Sequence, residues 1–207
     1  MAKIKHHYCA LILAAGQSKR FKSNKLAVRF KDKLLIERTL EPFFKLQYQI
    51  RSIFVVTGAY SNELQPILNH LQVKQIHNEF YASGGMSSSI KIGVKQISNN
   101  IENFNGLFIH PGDIPFISGE DLILMINALE NSQKKIIIPT HDKKRGHPLL
   151  VHSSLMDKLL DLEEHRKGLK GFLTDFKDAI EFVNSRNPGI LYDIDSPDDL
   201  EKILKES

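Results

Sequence analysis

The chain has 207 residues, 42% apolar and 25% charged, with a net charge of +4 and a pI near 9.0, which suits one sizeable core and leaves little room for two. The lone cysteine, Cys9, excludes an internal disulfide, and no stretch reaches the roughly 20 apolar residues of a membrane helix. Mild basicity without tryptophan or a basic–aromatic repeat argues against a nucleic-acid surface but suits a small polyanion, so a cytoplasmic protein with neither nucleic-acid nor membrane partner is expected.

Tyr8 to Leu13 reads as a buried strand, with Cys9 a small apolar residue in it rather than a nucleophile. The run stops at Ala14-Ala15-Gly16, and the polar loop from Gln17 to Lys25 carries Lys19, Arg20, Lys22 and Lys25. Small side chains let a ligand approach the main chain, and successive N–H groups form a concavity for anions. Arg20 adds a planar fork for phosphate oxygens and Lys25 a point charge, so the simplest ligand is a nucleoside triphosphate. The loop lacks the lysine that directly follows the last glycine of a P-loop, and it lacks G-x-G-x-x-G, which disfavours a dinucleotide fold.

A helix is expected over Leu34–Leu46, a strand over Ile53–Gly58, and a helix over Asn62–Leu71 with Pro66 in its first turn or bending it. A short strand, Val73–His77, precedes Gly84-Gly85-Met86-Ser87-Ser88-Ser89, which leads into a helix over Met86–Ile97. Free N–H groups at a helix start attract negative charge, and serines there either cap the helix or donate to a ligand. The strand Gly106–His110 delivers Asp113 within Pro111-Gly112-Asp113-Ile114-Pro115. A carboxylate beside phosphates calls for a bridging Mg²⁺; the alternative is a plain turn aspartate. Ser118 begins another helix, with Asp121 completing an approximate capping box, and Lys135–Ile138 is a strand stopped by Pro139.

In the tail, His141–Gly146 reads as a turn and Pro148–Val151 as a strand returning beside its predecessor. Amphipathic segments at Leu155–Leu162 and Leu169–Phe176 precede short strands near Ile180–Val183 and Ile190–Tyr192 and a last helix from Ser196. His147 is either a ligand for an acceptor or an exposed hairpin histidine. Asp195 is either part of a helix cap or a second metal ligand. The adjacent His6 and His7 would point to opposite faces of a strand and make no metal pair. The β-α-β-α order predicts an α/β fold: three layers, α/β/α, around a mostly parallel, Rossmann-like sheet. Ligands bind beyond the carboxyl ends of such strands, so the Gly16, Gly58 and Gly112–Asp113 turns should converge on one edge.

Taken in order, these segments resemble the MobA-like nucleotidyltransferase superfamily, closest to its molybdenum cofactor cytidylyltransferase branch. Leu13-Ala14-Ala15-Gly16 through Ser18, Arg20 and Lys25 looks like the nucleotide loop, and Gly85-Met86-Ser87-Ser88-Ser89-Ile90 like the second signature. Gly112-Asp113-Ile114-Pro115 looks like the metal-binding turn. Arg145-Gly146-His147-Pro148 and Asp193-Ile194-Asp195-Ser196-Pro197 look like the later landmarks. Ala15 favours the cytidylyltransferase branch, because the guanylyltransferase branch usually carries two glycines there. Lys22 stands where the family commonly has glycine, and Glu163–Gly168 departs from its pattern.

The resemblance implies a single nucleotide-diphospho-sugar transferase-like domain over residues 1–207. It implies transfer of CMP from CTP to a phosphorylated acceptor, molybdenum-bearing molybdopterin, with release of pyrophosphate and with Mg²⁺ as cofactor. Arg20, Lys25 and Asp113 would be catalytic, and Asp113 and Asp195 would hold the metal. Leu13, Ala14, Ala15, Gly16, Ser18, Gly85, Met86, Ser87 and Ser88 would bind nucleotide, His147 would bind acceptor, and a molybdoenzyme or its chaperone would receive the product. The alternatives are a guanylyltransferase using GTP, a sugar-phosphate or methylerythritol-phosphate nucleotidyltransferase, and a non-catalytic nucleotide-binding protein that delivers a cofactor.

Overall fold

Strand β1 (Tyr8–Ala14) is apolar on both sides because it lies at the centre of the sheet. The computed structural model describes residues 7–21 and 23–206, so His6 and Lys22 of the readings above lie outside the described residues. Tyr8, Ala10, Ile12 and Ala14 face one core, and Cys9 and Leu11 face the other, as the two-residue period of a strand requires. After the loop come a small antiparallel ribbon, β2 (Arg29–Phe30) and β3 (Lys33–Leu34), then α1 (Leu35–Lys45) and β4 (Ile50–Thr57). Next are α2 (Ser61–His70), β5 (Lys74–His77), α3 (Gly85–Asn100), β6 (Gly106–Pro111) and α4 (Gly119–Asn131). The tail adds β7 (Ile136–His141), β8 (Lys144–Arg145), β9 (Leu149–His152), α5 (Met156–Leu160), α6 (Gly168–Asp175), β10 (Ile180–Asn184) and α7 (Pro197–Glu206).

The main sheet runs β10-β7-β9-β6-β1-β4-β5, with β8 paired to the end of β7. It is parallel except for β9, which runs antiparallel between β6 and β7, and for β8. Helices α1, α2 and α4 cover one face through Leu40, Phe43, Leu64, Leu68 and Met125. Helices α3, α5 and α6 cover the other through Ile90, Val94, Leu159 and Phe172. The expected three-layer α/β/α fold is therefore present. Gly93 lets α3 lie close against β1, since a Cβ there would fall on the Leu11 side chain.

The chain passes from β1 to β4 on one side and later returns to β6 on the other, so the order reverses at β1. That reversal opens a crevice beyond the carboxyl ends of β1 and β6. One expectation changes and another narrows. Ile190–Tyr192 is not a strand: Pro188–Leu191 forms a 3₁₀ turn, because Pro188 has no ladder donor and the Asn187 side chain accepts from Gly189 N. Pro66 sits mid-helix, beyond the first turn of α2, on its exposed side. Among the described residues, no helix is long and apolar enough to cross a membrane.

Candidate active site

Two backbone bonds gather the loops at the crevice. Gly112 N donates to Leu13 O (2.9 Å), joining the ends of β1 and β6, and Ile194 N donates to Asp113 O (2.9 Å), drawing in the segment before α7. The buried Thr39 hydroxyl on α1 fixes the same turn from below by donating to Gly112 O (2.7 Å). A cleft of about 520 Å³ results. Leu13, Ala15, Gly16, Ser18 and Lys25 line one wall, Tyr81, Gly85, Met86 and Ser89 a second, and Asp113, His147 and Asp193 a third. The Asp113 carboxylate thus shares one cavity with the Gly16 bend. A Cβ added at Gly16 would meet no protein atom, so the missing side chain leaves ligand space rather than packing space.

Lys25 is the electrostatic hub. A short 3₁₀ turn capped by the Asn24 side chain aims it inward, and its side chain is only 10% exposed. Its Nζ lies 2.7 Å from Asp113 Oδ2, 3.1 Å from Asp195 Oδ1 and 2.8 Å from Ile194 O, which occupies all three ammonium donors. Burial opposes the charged form of Lys25, but Asp113 and then Asp195 outweigh it and hold its pKa above the ordinary lysine value. Arg20, largely exposed, pairs with the other oxygen of Asp195. Partial burial works to raise the Asp195 pKa, yet Lys25 and then Arg20 pull it below the usual carboxylate range.

Asp193 completes the cluster: oxygens of Asp113, Asp193 and Asp195 lie within 4.8 Å of one another. Desolvation, then the like charges of Asp113 and Asp195, push the Asp193 pKa up to about 6. Three converging carboxylates are a set of hard oxygen donors that suits a divalent cation such as Mg²⁺ or Mn²⁺. The helix-cap reading of Asp195 gives way to a different division of labour. Asp199 accepts from Asp195 N, Ser196 N and Ser196 Oγ, which caps α7 and leaves the Asp195 side chain to the cleft cations.

The serines at the start of α3 separate by task. Asn78, buried at the end of β5, donates to both Ser88 Oγ (2.8 Å) and Ser89 Oγ (2.9 Å). Ser88 Oγ in turn donates to Gly85 O, so its hydroxyl is used within the protein. Ser89 faces the cleft and is the hydroxyl placed to donate to a ligand. Ser87 points the other way: its Oγ is buried without a partner, and its N–H reaches Glu164 Oε2 at 3.3 Å. The positive end of α3 thus already faces a protein carboxylate, which makes it a poor seat for phosphate.

Of the residues expected at the site, Leu13, Ala15, Gly16, Ser18, Lys25, Gly85, Met86, Asp113 and His147 line the cleft. Ala14 turns its methyl into the core, so only its backbone is offered. Ser87, Ser88, Arg20 and Asp195 are outside the lining, the last two locked to each other. His147 is no exposed hairpin residue: its Nδ1 is shielded without a partner, and burial lowers its pKa while Asp113 opposes. Arg145 instead stacks over Phe182 on the sheet edge. Tyr81 and Ala82 carry no role in the sequence reading, and Ser89 and Asp193 stand there only as members of their motifs. Asp193 stands in the same landmark as Asp195, two residues before it, and the structure turns Ile194 between them into the core.

Comparison with known proteins agrees with this fold. A profile of the MobA-like NTP transferase domain matches residues 10–180. A curated relative, 2-C-methyl-D-erythritol 4-phosphate cytidylyltransferase of Thermosipho melanesiensis, is 31% identical over 122 residues, 57% of this chain and 52% of that enzyme, so the match spans about half of its length. A nucleotidyl transferase from Methanothermobacter thermautotroptrophicus shares the fold with a TM-score of 0.78 at 19% identity over 97% of both chains. A manganese complex of Rv0371C from Mycobacterium tuberculosis gives 0.72 at 17% identity, covering 97% of this chain and 100% of that one.

Proposed function

The chain belongs to the MobA-like NTP transferase family, and from that premise and the cleft geometry we propose that it transfers CMP from CTP to a phosphorylated acceptor, releasing pyrophosphate. The observation that carries this reading is the convergence of two distant segments on Lys25, whose ammonium touches Asp113 and Asp195 beside the bare Gly16 backbone. An oxygen of the acceptor phosphate attacks the α-phosphorus of the nucleotide, one P–O bond forms, and the α–β bridge breaks. The attacking oxygen is already anionic, so no serine or cysteine nucleophile and no strong general base is required.

The protein's task is to bring two anions together and to stabilise charge on the departing pyrophosphate. Backbone N–H groups of Ala14–Gly16 hold the nucleotide, Ser89 donates to it, and Lys25, with Arg20 once it releases Asp195, neutralises phosphate. Lys25 gives up one of its three present acceptors to reach a phosphate oxygen. Mg²⁺ held by Asp113, Asp193 and Asp195 would supply charge neutralisation between carboxylates and phosphates. His147 borders the acceptor side.

The motif resemblance favours molybdopterin carrying molybdenum as acceptor, with a molybdoenzyme or its chaperone receiving the product in the cytoplasm. The name of the Thermosipho relative favours a second reading, methylerythritol phosphate, with the same donor. Pyrophosphate release, measured for CTP, GTP, UTP and ATP against both acceptors and a set of sugar phosphates, with and without EDTA, separates these. Release with CTP and one acceptor, abolished by EDTA, supports the proposal. Release only with GTP moves the protein to the guanylyltransferase reading. Tight CTP binding without release from any acceptor favours cofactor delivery instead.

A further inference from the structure

Below the acidic cluster, a buried polar network joins α4 to the segment that carries Asp193 and Asp195. Asp121, 4% exposed in the first turn of α4, has its carboxylate held by neutral donors. Oδ2 accepts from Ser118 N, Ser118 Oγ and Asn187 Nδ2, each at 2.8 Å, and Oδ1 accepts from Ser185 Oγ. A capping box accounts for the Ser118 bonds alone. The remaining two reach more than 60 residues along the chain, and four donors are what one ionised carboxylate can accept. A buried carboxylate is costly unless it is satisfied in this way.

Asn187 is the other end of the clamp. It also donates to Phe116 O (2.9 Å) and accepts from Gly189 N (2.8 Å). Phe116 follows Asp113 by three residues, and Gly189 lies in the Pro188–Leu191 turn, which ends two residues before Asp193. The two backbones touch there: a Cβ on Gly189 would fall on Phe116 O. Farther along, Ile190 O accepts from His147 N (3.0 Å) and Ile194 N donates to Asp113 O. The stretch from 187 to 194 is thus pinned at its start by Asn187 and at its end beside Asp113.

We infer that Asn187, anchored by Asp121, is a positioning residue for the divalent-cation site, setting how closely Asp193 and Asp195 approach Asp113. The inference rests on the reading of those carboxylates as the metal site. Asn187 touches neither substrate nor metal. Its removal loosens the start of the segment while the other two pins remain, so the effect is partial. Groups that orient metal ligands typically change affinity by about 10–100-fold when removed, and the lower end, about tenfold, is expected here.

The test uses Mn²⁺ alone, with free Mn²⁺ read by electron paramagnetic resonance, on the full chain and on Asn187→Ala and Ser118→Ala, alongside metal-free thermal midpoints. Ser118→Ala loosens the same carboxylate and the α4 cap but leaves the Asn187 bonds. Asn187→Ala should raise the Mn²⁺ dissociation constant about tenfold, and Ser118→Ala should lower the midpoint without weakening Mn²⁺. In turnover, Asn187→Ala should need about tenfold more Mg²⁺ for half its maximal rate and approach the parent rate at saturation. Parent-like Mn²⁺ binding by Asn187→Ala overturns the inference, as does weakening of both variants in step with lost stability. A parent chain that binds no Mn²⁺ is a different result: it overturns the metal reading itself, and the inference with it.

Discussion

Lys25→Met deletes the ammonium and keeps most of the apolar stem. In the parent, Nζ sits 2.7 and 3.1 Å from two carboxylates whose side chains are 26% and 34% exposed. Removing one partner of a fully buried pair costs about 3–5 kcal/mol, but water reaches these carboxylates, so about 1–2 kcal/mol is expected. For a chain of this size that is a fall in thermal midpoint of about 2–8 °C. The catalytic effect is larger: losing a preorganised charge where negative charge develops costs about 10²–10³ in rate, or ~2.7–4 kcal/mol. Metal affinity moves in the opposite direction, because Lys25 fills the space between Asp113 and Asp195 that a cation would share. Lys25→Met should therefore bind Mn²⁺ more tightly than the parent in the absence of nucleotide. The assays are pyrophosphate release at saturating CTP and Mg²⁺, and melting with and without metal. Near-parent turnover would refute the catalytic assignment, and weaker Mn²⁺ binding would refute the competition argument.

Ser89→Ala should raise the KM for nucleotide by up to about tenfold, the value of one ordinary hydrogen bond, while Ser88→Ala, whose hydroxyl serves Gly85 O, leaves it nearly unchanged; steady-state kinetics on both variants checks this. Gly93→Ala pushes a methyl into Leu11 and should cost about 1–3 kcal/mol in chemical denaturation, since neither α3 nor the central strand can move aside. Burial drives the Cys9 pKa up to about 12 against a small opposing pull from Lys74, so at pH 8 almost no thiolate exists. Native protein should resist alkylation there and react once denatured, as mass spectrometry would show.

The Gly16 loop was readable because small residues, a strand end and clustered cations are adjacent in the chain, and each carries a local physical meaning. Asp113 was readable for the same reason, as a carboxylate delivered by a strand into a stiff turn. The serines were harder. Three in a row at a helix start rotate by about 100° each, so which of them meets the cleft depends on where α3 lies. Asn78 and Gly93 determine that position, and neither stands out in sequence. The contact of Glu164 with the first turn of α3 was not legible, because Glu164 lies more than 70 residues away in the chain. Ile190–Tyr192 reads as a strand from its apolar run, but Pro188, two residues earlier, offers no ladder donor and starts a 3₁₀ turn instead.

What the amino-acid order determined alone was periodicity and punctuation: strands alternating with helices, and the turns that end them, because backbone sterics and burial act over a few residues. Only the folded chain could decide which carboxylates lie together and which hydroxyl faces the cleft. Those outcomes depend on ångström-scale distances between residues up to 170 positions apart, as between Lys25 and Asp195, and such distances are set by how the whole sheet packs.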